Sequence, residues 1–275
     1  MRILFGFVAL IGMVWAQAGE PAAHPKLTPT LWVQTASEWR GLCLQAYRLA
    51  TQQLRVALKD KSWTAAVEQS GKFKKLRPAV VLDIDETVLD NSAGQARQVL
   101  GNTGFVPADW NQWVSEQKAP AIPGAVEFCR YAESRRVRVF YVTNRDAAQE
   151  DATIANLTRL GFPAGRETVL CRGEKPEWAS EKTSRRQEIA ATHRILLLIG
   201  DDLGDFLPGV RTTIEKRIEL TKPYEGNWGT KWFLLPNPGY GSWEDAVVAP
   251  DPPADLHQRL ERRRSRLDPM QGPRR

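Results

Sequence analysis

Three apolar, largely β-branched runs set the frame of this chain: "AVVLDI" at 79–84, "VRVFYVTN" at 137–144 and "RILLLIGDD" at 194–202. A run without polar alternation marks a strand covered on both faces. Each run ends in polar residues, and amphipathic stretches separate them: "AVEFCRYAESRR", "DAAQEDATIANLTRL" and "SEKTSRRQEIAAT". "KWFLLPN" at 231–237 is a fourth apolar run. Strands alternating with helices imply right-handed crossovers, hence an α/β fold with a doubly wound parallel sheet. Ligands of such sheets bind outside the carboxyl ends of the strands, where the polar residues of this sequence fall.

The flanks are of a different character. Arg2, the apolar "ILFGFVALIGMVW" and the small-residue "AQA" ending at Ala18 make residues 1–18 a signal peptide; an uncleaved anchor is the alternative. The apolar run of about 13 residues is short of the roughly 20 that span a bilayer. Residues 19–75 read as a Pro-rich leader followed by a helical segment from about 31, with apolar positions at Leu42, Leu44, Tyr47, Leu49, Leu54, Val56 and Leu58. The core runs over 76–248, with an insert at about 92–122 that breaks the alternation and is placed to roof a pocket. In the insert, Trp110 and Trp113 share a helical face, the usual pattern of a core cap. Residues 249–275 form a basic tail: from 251 onward it has seven arginines against four acids, half of the net charge of +6. Such an ending reads as a solvated, partly disordered terminus rather than a nucleic-acid surface. Cys43, Cys129 and Cys171 have no C-x-x-C or zinc spacing and read as small buried hydrophobes.

The chemistry gathers at the strand ends. Asp83, Asp85, Glu86 and Asp90 stand within eight residues at the end of the first run. Such a cluster is costly unless something compensates. One carboxylate, Asp83, is placed to attack an electrophile while Asp85 handles protons; an acidic loop or a helix N-cap would look the same. Thr143 and Asn144, ending the second run, offer a hydroxyl and an amide to phosphate oxygens, though both are also turn residues. Lys182 opens a helix, where a cation gains nothing from the dipole. It either lies exposed or neutralises Asp83 and a substrate phosphate. Asp201, Asp202 and Asp205 form a second acidic cluster after the third run. Hard oxygen ligands from two strand ends describe a Mg2+ site.

In order, Asp83-x-Asp85-x-Thr87, Thr143-Asn144, Lys182 and Gly200-Asp201-x-x-x-Asp205 resemble the four motifs of the haloacid dehalogenase superfamily. "LDIDETVLDN", "AIPGAVEF", "VFYVTNR", "IGDDLGDF" and "LPNPGYGSWEDA" resemble more narrowly the class C nonspecific acid phosphatases, which include lipoprotein e and 5′-nucleotidase-like enzymes. The resemblance spans about residues 30–248. It implies a Rossmannoid core with a small, mainly helical cap, acting as a magnesium-dependent phosphomonoester hydrolase. Nucleoside 5′-monophosphates are among the candidate substrates. Asp83 would be the nucleophile that forms an aspartyl-phosphate and a metal ligand. Asp85 would be the general acid and then base, its main-chain carbonyl facing the metal. Thr143, Asn144 and Lys182 would hold the phosphoryl oxygens, Asp201 would ligate the metal, and Asp205 would ligate through water or orient the site.

Three departures from the family pattern stand out. The family has an aromatic residue where this chain has Gly94. Asp202 stands where Asn or Thr is usual, which adds a charge near the metal. No lipid-attachment cysteine is present, so a periplasmic or secreted protein without a stable membrane anchor is expected. The partner is then a small-molecule phosphomonoester, not a nucleic-acid polymer. A homodimer is left open by Trp228 and Trp232, which mark either a dimer face or a core. The histidines His24, His193 and His257 lie in no R-H-G-type motif and are too few for a dinuclear metallophosphatase. Asp85 supplies an acid/base that a dehalogenase does not need. The other class of function is a silent binding or storage protein, as in plant relatives that can lack the first Asp; here Asp83, Asp85, Lys182 and Asp201 are all present.

Overall fold

The structure, a computed structural model, describes residues 24–249, 251 and 256–267. The segment read from the sequence as a signal peptide, residues 1–18, lies outside the described residues. Two helices, α1 (Leu27–Thr35) and α2 (Ser37–Lys59), lead into β1 (Arg77–Leu82). The insert carries α3 (Ser92–Leu100) and α4 (Pro107–Ser115). The chain continues through α5 (Ala125–Ser134), β2 (Arg138–Asp146), α6 (Glu150–Leu160), β3 (Val169–Arg172), α7 (Thr183–Thr192) and β4 (His193–Gly200). It closes with α8 (Ile214–Thr221), β5 (Trp232–Leu234), α9 (Ser242–Val248) and α10 (Leu256–Ser265).

The five strands form one parallel sheet in the order β3-β2-β1-β4-β5. From β1 the chain winds outward through β2 and β3, then crosses back to β4 on the other side of β1. That reversal makes the β1–β4 junction the topological switch point, where such sheets open a crevice. Val80 lies opposite Val139 on one side and Leu197 on the other. All three are buried, as a central strand between two helical layers requires. One layer packs Tyr47 and Leu54 of α2 with Phe128 of α5 against Leu82. The other gathers Ile189, Phe206 and Trp232.

The doubly wound parallel sheet agrees with the sequence, with two differences. β3, in "TVLCR", is only four residues long and gives no periodicity to read, although Val169, Leu170 and Cys171 are all buried. The helical pattern expected to about 75 stops at Lys59. Beyond it, side-chain and main-chain bonds to β4 win over helix propensity. Ala65 N donates to Ile195 O at 2.8 Å. Gln69 donates to Ala190 O and His193 O at 2.8 and 2.7 Å and accepts from Ile195 N at 3.0 Å.

The insert is pinned at its base. Asp90 N donates to Pro120 O at 2.9 Å and Ile122 N to Val88 O at 3.0 Å, so its two ends meet beside the tip of β1. Trp232 is fully buried against Phe206, Tyr224 and Trp228, which makes it core. The three cysteines are buried and unpaired. Within the basic tail, Arg262 reaches Val248 O at 2.8 Å and Arg263 reaches Glu244. No described helix is long and apolar enough to cross a membrane.

Candidate active site

The tip of β1 continues the sheet by one rung: Asp83 N donates to Ile199 O at 2.9 Å. The chain then turns tightly, with Val88 N and Leu89 N both donating to Ile84 O at 2.9 Å and Glu86 in the left-handed region at φ 59°. This folds Asp83, Asp85, Glu86 and Thr87 over the switch point. A cleft there is lined by Asp83, Val142, Lys182, Arg186, Ile199 and Asp205.

Lys182, immediately before α7, donates to Asp83 Oδ1 and to Asp205 Oδ1, the latter at 2.6 Å. All three are buried. Desolvation pulls the lysine's pKa down, but the two carboxylates outweigh it and hold the ammonium charged. Asp205 Oδ2 accepts from the main-chain N–H groups of Asp201 and Asp202 at 3.1 and 3.0 Å. Asp201 accepts from Thr87 Oγ1 at 3.1 Å and from Asn237 Nδ2 at 2.7 Å. Burial pushes the Asp83 carboxyl up to about 7, against the opposing pull of Lys182 and with Asp205 and Asp85 adding to the rise. Desolvation, then the charges of Asp83, Asp205 and Glu86, push Asp201 well above the usual carboxylate range. One oxygen from each of Asp83, Asp201 and Asp205 lies within 4.8 Å of the others. Three crowded hard-oxygen donors with their charge uncompensated by one lysine are a donor set that fits a divalent cation.

Asp85 points the other way. Arg145, from the end of β2, donates to its Oδ1 from Nη2 at 2.8 Å and from Nε at 3.0 Å. Asn91 Nδ2 donates to the same oxygen at 2.9 Å. Glu86 is buried and takes Asn91 N at 3.0 Å, Gln95 Nε2 at 3.2 Å and the Tyr240 hydroxyl. Burial first, then the Asp85 charge, push its carboxyl well above the usual range.

Thr143 and Asn144 stand two and three residues beyond the β1–β2 rung of Leu82 with Tyr141. Thr143 Oγ1 accepts from Arg145 N at 3.1 Å, which leaves its own hydrogen to donate. Asn144 is exposed. Its Oδ1 accepts from Arg185 Nη2 at 2.9 Å, which turns the amide NH2 outward. Arg185 is fully buried and also donates to Thr143 O and, at 2.8 Å, to Ala179 O. Its neighbour Arg186 binds Glu68 Oε1 at 2.8 Å and the carbonyls of Gly204 and Asp205 at 3.0 and 3.1 Å.

Asp83, Lys182, Asp201 and Asp205 are thus brought into one cluster, with Asp85 on its exposed flank and Thr143 and Asn144 at the adjoining strand end. Sequence reasoning missed Arg145, Asn91, Asn237, Arg185 and Arg186. Buried arginines offer the clearest signal, since "TNR" and "SRRQ" put charges where the pattern asks for apolar residues. Asp202 brings no free charge toward the cluster. Its carboxylate caps Gly204 N at 2.8 Å and accepts from Ser242 N at 2.6 Å and Ser242 Oγ at 2.7 Å. A side chain at Gly94 would press on the ring of Trp113, 3.1 Å from where its Cβ would stand. An indole from the insert therefore fills that space.

The family model of the HAD superfamily, subfamily IIIB (acid phosphatase), matches residues 23–243. Among solved structures, the class C acid phosphatase from Bacillus anthracis is 33% identical, with a TM-score of 0.78 over 90% of this chain and 98% of that one. A second structure of that protein, with tungstate bound, gives the same values. The stem 28 kDa glycoprotein of Glycine max is 26% identical over 164 residues, 58% of each chain. Acid phosphatase 1 of Solanum lycopersicum is 24% identical over 135 residues, 48% of this chain and 52% of that one. The matched region thus spans between half and three-fifths of these plant relatives. Since the family match runs through both the sheet and the cleft at its switch point, the chain belongs to the acid phosphatases of HAD superfamily subfamily IIIB.

Proposed function

We propose that this protein is an exported, magnesium-dependent phosphomonoesterase that works through an aspartyl-phosphate on Asp83. The observation that carries the reading is the ammonium of Lys182 shared between Asp83 and Asp205 at the switch point. It offsets part of the cost of ionising the buried nucleophile and holds positive charge where a phosphoryl group would gather negative charge. Asp83 attacks phosphorus, Asp85 protonates the leaving oxygen, and Asp85 then takes a proton from the water that releases phosphate. Lys182, the Thr143 hydroxyl and the Asn144 amide hold the phosphoryl oxygens. Asp83, Asp201 and Asp205, with the main-chain carbonyl of Asp85, would hold a magnesium ion, which supplies further positive charge. Tungstate, bound by the Bacillus anthracis relative, has the tetrahedral oxyanion shape of phosphate, which supports the same class of ligand here. The substrates are small phosphomonoesters; a cleaved segment at residues 1–18 would deliver the enzyme to the periplasm or medium.

The test is hydrolysis of p-nitrophenyl phosphate by the purified protein with magnesium, with EDTA, and as Asp83→Asn. Magnesium-dependent turnover that disappears in the variant is the expected result. Turnover that survives Asp83→Asn would mean a different nucleophile. A wild type that binds phosphate analogues without turnover would point to a storage or binding role instead.

A further inference from the structure

We infer that Arg145, assisted by a Trp113–Asn91 relay from the insert, is a positioning residue that fixes Asp85 so that Oδ2 is the oxygen that gives and takes the proton. The inference rests on the phosphomonoesterase reading and adds to it which atom moves the proton and what aims it.

The two oxygens of Asp85 are not equivalent. Oδ1 receives three donors: Arg145 Nη2 at 2.8 Å, Arg145 Nε at 3.0 Å and Asn91 Nδ2 at 2.9 Å. Oδ2 receives one long contact, from Arg145 Nε at 3.3 Å. A guanidinium has no acceptor and does not lose its protons in a protein, so an oxygen crowded by it is a poor place for a transferable proton. Oδ2 is left for the leaving group and then for water.

The orientation of the clamp is itself determined. Trp113 is buried, and its indole N–H, which can only donate, bonds Asn91 Oδ1 at 2.8 Å. That bond forces the Asn91 NH2 toward Asp85. Arg145, also buried, is held from its far side by Thr153 Oγ1 at 3.1 Å and lies 5.6 Å from the centre of the Trp110 ring. Asp85 keeps about a sixth of its side-chain surface exposed while its partner keeps almost none. Here the fixed member is the arginine, and the member left with access to solvent is the carboxylate.

The Asp83 carboxylate forms a P–O bond as the bond from phosphorus to the leaving oxygen breaks. The electron pair stays on that oxygen, which takes the proton from Asp85 Oδ2. In the second half, water attacks phosphorus, its proton returns to Oδ2, and the Asp83–phosphorus bond breaks to release phosphate. Arg145 neither gains nor loses a proton.

Leaving-group dependence separates this role from a structural one. A p-nitrophenolate leaves without help, whereas an alkoxide needs the proton. In Arg145→Lys and Trp113→Phe, kcat/KM is measured for p-nitrophenyl phosphate and for glycerol 2-phosphate, with thermal melts to establish folding. The expected result for Arg145→Lys is a loss on the order of 10²-fold for the glycerol ester, against a few-fold for the nitrophenyl ester. Trp113→Phe, which keeps the ring and removes the N–H, shifts the ratio the same way by about tenfold. Equal losses for both esters, or none, in folded variants overturn the inference while leaving the phosphatase reading intact. A wild type that hydrolyses neither ester overturns that reading and this inference with it.

Discussion

Lys182 Nζ donates to Asp205 Oδ1 at 2.6 Å, which ties the residue before α7 to the turn that follows β4. The same nitrogen bonds Asp83 at the tip of β1, so one ammonium joins three elements across the switch point. Asp205 is held in turn by two main-chain N–H groups of its own turn. The nucleophile proposed for this enzyme is therefore positioned by a rigid frame, and the frame's parts can be removed one at a time.

Lys182→Met leaves Asp83 and Asp205 buried without their shared cation. We expect kcat/KM on p-nitrophenyl phosphate to fall on the order of 10²–10³-fold. In EDTA at neutral pH, stability should drop by about 3–5 kcal/mol, the usual effect of stranding buried charge. Urea denaturation reads the second number. Unchanged stability would mean the ammonium is not committed to this pair.

The metal-free protein should lose stability as pH rises from about 4 to about 7. Asp83 titrates near 3.8 when unfolded and is pushed up to about 7 in the fold, by burial first. In that window the folded state holds a proton that the unfolded chain has released, so the slope of stability with pH is negative. Asp201 acts with the same sign, and Lys182, raised, contributes evenly throughout this window. Thermal melts in EDTA should show the decline, and Asp83→Asn should make it shallower, with Asp201 and Glu86 still contributing, and melt higher than wild type at pH 7. Magnesium at a hundred times its Kd should return about 2.7 kcal/mol at pH 7. A metal-free wild type that grows steadily more stable from pH 4 to 7 would contradict the prediction.

Gly200→Ala should cost function for a purely steric reason. A Cβ on this buried glycine would overlap the carboxylate of Asp205, which backbone bonds keep from moving aside. Overpacking of this kind costs about 1–3 kcal/mol. Displacing a group that orients the metal site should weaken magnesium binding about 10–100-fold. Isothermal titration with magnesium gives the comparison, and wild-type affinity would show that Asp205 shifts freely.

The sheet was legible because continuous runs such as 194–200 leave a buried strand as the reading, and the carboxyl ends then locate the crevice. Asp83, Lys182, Asp201 and Asp205 were legible as a set because each stands at or just after such an end. Two things were not legible. β3 is too short to show a period, and residues 61–76 were claimed by bonds from Gln69 and Ala65 to β4 that no local pattern announces. The same holds around Asp85. Its neighbour Asn91 is six residues away, but Arg145 is 60 residues away, and only the pairing of β1 with β2 brings it close. Position in the sequence gives a carboxylate's candidacy; which of its oxygens is free depends on donors that arrive from elsewhere in the fold.

Asp202 distinguishes a charge that serves the site from one that serves the scaffold. Its carboxylate caps Gly204 N and accepts from both N and Oγ of Ser242, and the Ser242 hydroxyl oxygen accepts from Arg217 Nη1 at 2.6 Å. Its bonds brace the turn of Asp205 and fasten α9 to it. Asp202→Ala should therefore destabilise the protein by about 1–2 kcal/mol, the cost of a lost cap, while magnesium affinity at pH 7 changes less than threefold. Asp202→Asn keeps one acceptor oxygen and should fall between. Were Asp202 instead a charge aimed at the metal, neutralising it would weaken magnesium binding about tenfold or more, as loss of a supporting carboxylate does, with little change in melting temperature. Melting curves and magnesium titrations on the same two variants decide between these patterns, because the two roles move opposite observables.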